Sequence, residues 1–180
     1  VTRITKIISS LKAFAREGDR DDFESQSVKK LIDDTLEFCL QKIKHRGISL
    51  IIKDFDQDLK IDCRPVQISQ VLLNLLNNAT DAIEHLEEKW ITLEVRDVED
   101  CLLIRVTDSG GGLTTDVIDK IMKPFFITKP VGKGTGLGLS VSKSLIEGHG
   151  GKLLIDRESK NTCFVIVLPK TQIIEKRTAS

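Results

Sequence analysis

The chain lacks most of the features from which a function could be read at a glance. No apolar run approaches the ~20 residues that cross a bilayer; the longest candidates, around residues 48–52 and 71–76, are short and broken by polar residues. The N-terminus, Val1-Thr2-Arg3-Ile4, has none of the organisation of a secretory signal. Net charge is absent, with 27 basic residues against 27 acidic ones, so there is no whole-molecule argument for nucleic acid or an acidic membrane surface as partner. No Cys-x-x-Cys pair occurs. Cys39, Cys63, Cys101 and Cys163 stand far apart, which argues against a structural zinc site or a disulfide framework and reads as reduced, mostly buried thiols in a reducing compartment. Glycine is scarce in one half: of 12 glycines, only Gly18 and Gly47 precede Ser109. The second half therefore needs a permissive backbone for some purpose.

What remains is an ordinary soluble composition, 40% hydrophobic and 30% charged over 180 residues, enough for one domain with a sizeable core. Residues 1–17 carry a helical stripe of Ile4, Ile7, Ile8, Leu11, Phe14 and Ala15 that needs a partner helix and is already running at the first residue, as if cut. Residues 18–23 are a charged linker. A domain follows over 24–170, and 171–180 form a polar tail. Within the domain, helical periodicity runs from Ser27 to His45. Residues 48–53 and 59–63 read as short strands joined by polar residues 54–58. Pro65 opens a helix to about Glu87. Residues 90–98 and 101–107 form a hairpin. Residues 114–122 form a short helix with a Thr cap, 136–147 a further helix, and 152–156 with 163–168 a closing hairpin. Hairpins interrupted by helices imply an α+β, two-layer α/β sandwich, a mixed sheet covered on one face by helices.

Three segments carry chemistry. On the helix after Pro65, Gln70, Asn74, Asn78 and Asp81 are spaced four, four and three apart and share one stripe. Taken alone, such a stripe is equally the solvent face of an amphipathic helix. Asp108-Ser-Gly-Gly-Gly-Leu113 ends a β-rich run abruptly. An Asp at a strand end can accept from an exocyclic amine while glycines admit a ligand to the backbone, although a plain Asp/Gly turn has the same composition. Gly132-Lys-Gly-Thr-Gly-Leu-Gly-Leu139 alternates four glycines into a helix start, where backbone N–H groups make an anion site. It fits neither the phosphate-loop pattern nor Gly-x-Gly-x-x-Gly. From Lys120 to Ile146 there are five lysines and no acidic residue.

Taken in order, residues 67–83 (QISQVLLNLLNNATDAI), 108–113 (DSGGGL), 124–129 (PFFITK) and 132–139 (GKGTGLGL) resemble the N, G1, F and G2 boxes of sensor histidine kinases. These kinases belong to the superfamily that also holds Hsp90-type chaperones, type II topoisomerases and mismatch-repair ATPases. The resemblance covers about residues 24–169 and implies an α/β sandwich with a flexible lid over ATP. It implies that Asn78 coordinates Mg²⁺ on the ATP phosphates, with Asn74 and Asp81 facing the same pocket. Asp108 would accept from the adenine amine, Gly110 and Gly112 would let the base lie close, and Thr162 would join Asp108 through water. Phe125 and Phe126 would anchor one end of the lid. Thr128, Lys129, Gly132, Lys133, Gly134, Thr135, Gly136, Leu137 and Gly138 would line the phosphate side. Asn74, Asn78, Lys129 and Lys133 would then serve phosphoryl transfer, which is mainly positioning and charge stabilisation.

Two departures sharpen the expectation. Hydrolysing members of the superfamily carry a glutamate one turn before the metal asparagine, as base for water. Asn74 stands there, and an amide takes no proton from water, which argues for a kinase. The kinase also needs a phosphoacceptor histidine followed by an acidic residue. His45, His85 and His149 do not fit, and each reads as a helix-end or surface histidine, so the acceptor is expected upstream of Val1. The resemblance thus implies the cytoplasmic catalytic domain of a two-component sensor kinase. It would phosphorylate a histidine on its own parent's dimerisation helices, form a homodimer through the N-terminal helix, and serve a response regulator receiver domain, with no nucleic acid. A hydrolysing clamp and a nucleotide-binding scaffold are the alternatives.

Overall fold

The computed structural model describes residues 22–127 and 135–171. The expected N-terminal helix at 1–17, most of the linker and nearly all of the polar tail lie outside the described residues. In chain order the elements are β1 (Glu24–Ser27), α1 (Val28–His45), β2 (Ser49–Ile52), β3 (Lys60–Cys63), α2 (Pro65–Ala82), β4 (Trp90–Val98), β5 (Cys101–Asp108), α3 (Thr115–Ile121), α4 (Gly138–Glu147), β6 (Lys152–Ile155) and β7 (Cys163–Pro169). Five strands form one sheet in the order β2-β4-β5-β7-β6. β2 runs parallel to β4 and the other neighbours are antiparallel. β1 and β3 make a separate antiparallel pair. The sheet is mixed and the class is α+β, as expected.

The period-two pattern of β4 and β5 decides which face is covered. Ile91, Leu93 and Val95, with Leu102, Ile104 and Val106, point inward and are buried. The opposite face carries Glu94 and Arg105, ion-paired to each other and, through Arg105, to Asp156. Helix α2 lies at the centre of the covering layer. Its Ile68, Val71, Leu72, Leu75 and Leu76 are fully buried, each contributing about 1.5–3 kcal/mol. Pro65 occupies its first turn, where a missing N–H costs nothing. Helix α1 opens with the Ser27 side chain accepting from the Lys30 N–H and closes with Lys42, Lys44 and His45 against the negative end of its dipole.

Three expectations are corrected and the pairing of two strands is filled in. Helix α2 ends at Ala82, not near Glu87. Glu84, Glu87 and Glu88 follow, and carboxylates oppose the C-terminal end of a helix dipole. Ser109 then binds the next stretch, donating to the Glu88 carbonyl and accepting from the Trp90 N–H. The strands joined by residues 54–58 do not pair with each other. An Asx turn at Asp56 redirects the chain, so that β2 joins β4 while β3 pairs with β1, a strand without apolar alternation. Helix α4 starts at Gly138, not Gly136, because Gly136 has φ +70°, outside the helical region. At α3 the Thr114 side chain makes no cap; its carbonyl accepts from Val117 and Ile118 instead.

A fourth correction concerns His149, expected at a helix end or on the surface. It follows α4 but is fully buried. Its Nδ1–H donates to the Leu145 carbonyl at 2.7 Å, and its Nε2 accepts from the Arg64 N–H at 3.0 Å. This donor–acceptor pair defines one neutral tautomer. Phe23 packs edge-on against the imidazole, with the Arg64 guanidinium 4.8 Å over the Phe23 ring. The folded unit therefore takes in Phe23, and three elements are knotted where the chain enters the domain. Burial pushes the imidazole below its usual 6.5. Its contribution is thus present above about pH 6.5 and lost as the unfolded chain protonates at lower pH. His149→Ala should lose about 2–4 kcal/mol at pH 7.5, read as a lower urea midpoint, and the gap to wild type should shrink on acidification; an unchanged midpoint would show that the knot carries no stability.

Candidate functional site

A cavity of about 360 Å³ opens between α2, α3, the start of α4 and the ends of β5 and β7. Of the residues expected to bind ATP, Asn74, Asn78, Asp81, Asp108, Thr135, Gly136, Gly138 and Thr162 line it. Gly110 and Gly112 lie in the turn directly after Asp108. Thr128, Lys129, Gly132, Lys133 and Gly134 lie outside the described residues. Leu137 is buried at the helix cap. Phe125 does not line the cavity. Its backbone is left-handed (φ 65°) and the residue is 65% exposed, while Phe126 and Ile127 line the cavity.

One end is built by strand alternation. The same register that buries Leu102, Ile104 and Val106 also buries Asp108, which is 3% exposed. Its Oδ1 accepts from the Gly110 N–H at 2.8 Å, and the Thr162 side chain bonds to the same carboxylate. A Cβ at Gly110 would lie 2.7 Å from that Oδ1, so glycine is required there. Burial outweighs both hydrogen bonds and raises the carboxyl from 3.8 to about 6. Leu113, Ile121 and Phe164 wall this end with apolar surface.

The other end is built by two helices in close approach. Asn74 Nδ2 donates to the buried Ser142 Oγ at 2.9 Å, and its Oδ1 faces Asn78 Nδ2 at 3.5 Å. A Cβ on Gly138 would come 2.5 Å from Asn74 Oδ1. Glycine is what lets the N-terminus of α4, with its unsatisfied N–H groups, sit against the asparagine stripe. Gly136 plays a parallel part. Its carbonyl accepts from the Phe125 N–H at 2.9 Å, and a Cβ there would meet the Phe125 backbone at 2.7 Å. Phe125 and Gly136 are thus held backbone to backbone.

Asp81 reaches the cavity wall but is held by cations from the end of α1 and its C-cap, Arg46. Arg46 lies at 2.9 Å and Lys42 at 3.3 Å, and Lys42 also donates to Asn77 Oδ1 at 2.9 Å. Lys42, Arg46, Asn77 and Ser142 were missed in the sequence. The spacing of Lys42 and Arg46 (i, i+4) marks one face of α1, yet nothing local says that this face meets α2. Among the described residues no three His, Cys, Asp or Glu gather as a metal cage. A divalent ion here would rest on an amide oxygen, water and a ligand's own oxygens, the donor set that suits Mg²⁺.

A one-sided mixed sheet whose helix layer opens onto a strand-end carboxylate and a glycine-led helix start defines a nucleotide-binding α/β sandwich. Within that class, residues 63–172 match the family described as histidine kinase-, DNA gyrase B-, and HSP90-like ATPase, and the chain belongs to it. It is 33% identical to sporulation kinase E of Bacillus subtilis over 86% of its own length, and spans only 21% of that kinase. The solved catalytic domain of histidine kinase ThkA superposes with TM-score 0.75 at 31% identity, covering 83% of this chain and 97% of that one. ThkA in complex with the response regulator TrrA superposes with TM-score 0.73 at 27% identity, covering 93% of this chain and 49% of that one.

Because the Asp108 carboxyl is raised in the folded state, its ionised form destabilises the domain at neutral pH, by an upper figure on the order of 3 kcal/mol for two pH units. The domain should therefore gain from this group as the pH falls from about 6 towards 4. Asp108→Asn should raise the thermal midpoint at pH 7.5, and that gain should vanish near pH 4; a midpoint lowered at both pH values would contradict it.

Proposed function

We propose that the chain is the catalytic domain of a sensor histidine kinase, transferring the γ-phosphoryl group of Mg·ATP to a histidine outside this sequence, for relay to a response regulator. The observation that carries this reading is the Asn74 amide. It bridges α2 to Ser142 and accepts from Asn78, so the position one turn before Asn78 is filled by an amide that cannot deprotonate water. The sensor-kinase relatives and the ThkA likeness support the same reading.

In this reading adenine enters the apolar end. Its amine donates to Asp108, Thr162 completes the acceptor pair, and Gly110 and Gly112 keep the backbone clear of the ring. The triphosphate runs towards α4, whose first N–H groups meet it at Gly138 with no side chain between. Asn78 would hold Mg²⁺ through Oδ1, and the ion would shield phosphate charge. Lys129 and Lys133, with the backbone of Gly132, Gly134, Thr135 and Gly136, would close over the phosphates beside Thr128. Asp81 acts at one remove, its charge offset by Lys42 and Arg46 so that it does not repel the phosphates. The acceptor histidine and the homodimer contact would lie on the parent chain, and the response regulator would be a separate partner, with this domain in the cytoplasm.

Two outcomes test the proposal. Mixed with upstream dimerisation helices that carry the acceptor, the chain and labelled ATP should yield acid-labile, base-stable phosphohistidine, whereas the chain alone should bind ATP and label no histidine. Steady-state phosphate release that needs no acceptor would favour the hydrolytic clamp instead. Asp108→Asn should weaken ATP binding at least ~10-fold, because a charge-assisted acceptor is lost. Wild-type affinity should also decline below about pH 6, as Asp108 protonates.

A further inference from the structure

The turn after Asp108 contains three consecutive glycines, Gly110 to Gly112. Such a turn loses more chain entropy on ordering than any other, yet it must hold the Gly110 N–H on Asp108 Oδ1. A Cβ at Gly111 would meet nothing within 4 Å, so the middle of the turn is not held by packing. What holds it lies 51 residues away, in the loop between β6 and β7. The Gly110 carbonyl accepts twice, from the Thr162 N–H at 3.3 Å and from the Asn161 side-chain Nδ2 at 3.0 Å. Thr162 in turn accepts at its carbonyl from the Asp108 N–H at 3.0 Å. Gly112 packs against the same loop: a Cβ there would stand 3.2 Å from the Lys160 carbonyl.

The loop that presents Asn161 is itself tethered at its start. Asp156 pairs with Arg105 on the outer face of the sheet, and Arg157 pairs with Asp119 on α3 at 2.7 Å. Within the loop the Asn161 N–H donates to Ser159 Oγ at 3.3 Å. Asn161 is thus the side chain through which a tethered loop grips a glycine turn that has no side chains of its own.

We propose that Asn161 is a positioning residue for recognition of the base. Its amide holds the Gly110 carbonyl and so keeps the Asp108 carboxylate presented towards the exocyclic amine of adenine. This rests on the nucleotide reading above but assigns a residue outside the four boxes. Without the amide, the triple-glycine turn samples conformers in which the Gly110 N–H leaves Asp108, and affinity for the amine falls with the competent fraction. A ligand without the amine does not use that geometry and loses nothing.

The test uses the full chain as wild type, Asn161→Ala and the shape-preserving Asn161→Asp, neither of which offers a donor to Gly110. Binding is measured for ATP and for purine riboside triphosphate, which is ATP without its amino group. Amide exchange at Gly110 is followed in the nucleotide-free proteins. ATP affinity should fall about 3- to 10-fold in both variants, affinity for the purine analogue should hold, and the Gly110 amide should exchange faster. Equal losses for both ligands would reduce Asn161 to a general structural contact, and unaltered ATP binding would overturn the proposal outright. Wild-type chain that binds neither ligand would instead sink the nucleotide reading and this inference with it.

Discussion

The site depends on one constraint: a carboxylate is carried into the core by the pleat of a strand. Residues 102, 104, 106 and 108 of β5 share a face, and the first three must be Leu, Ile and Val because that face is covered by helices. The fourth is Asp. Burying it opposes its ionisation, and among the described residues no cation acts on it to reverse the effect. The structure answers with hydrogen bonds alone, from the Gly110 N–H and the Thr162 side chain. Each answer constrains a neighbour. Gly110 can be nothing larger, and the β6–β7 loop must pass within reach of both residues. A carboxylate left short of donors inside an apolar pocket is poised to accept from an incoming amine.

Helix α2 transmits a second constraint. Its apolar side fills the layer between sheet and solvent, which leaves the polar stripe to be shared by two neighbours. On one flank α4 comes close enough, through Gly138, for Asn74 to bridge to Ser142. On the other flank α1 sends Lys42 and Arg46 to Asp81. The stripe is therefore divided between two neighbours: Asn74 and Asn78 lie towards the glycine-led helix start, and Asp81 pairs with cations. Spacing alone places all of these residues on one face and does not separate the two roles.

This marks how far the sequence could be read. Period-two alternation at 90–98 and 101–107, and helical periodicity at 27–45, were legible because each is set by which face meets the core. The boxes at 67–83 and 108–113 were legible because their residues recur in fixed order. What escaped was non-local. Glu24-Ser-Gln-Ser27 pairs with β3 through backbone groups that any sequence possesses. The burial of His149 depends on Arg64 and Phe23, 85 and 126 positions away. The grip of Asn161 on Gly110 joins residues 51 apart. The end of α2 is hard to read because apolar periodicity runs on past Ala82, while the opposing signal, the carboxylates of Glu84, Glu87 and Glu88, follows only after it.

The close approach at Gly138 bears on why the proposed reaction is transfer rather than hydrolysis. Asn74 is wedged between α2 and α4, its amide committed on one side to Ser142 and facing Asn78 on the other. A glutamate at 74 would bring a charge to the spot where the amide now donates to the Ser142 hydroxyl and lies against the Gly138 backbone. The amide, neutral and able to donate and accept at once, satisfies both helices without desolvating a charge. The residue that knits the two helices together is thus one that cannot activate water. In the proposed reading, a phosphoryl group held there would wait for a nucleophile from elsewhere, as transfer to another segment of the parent would require.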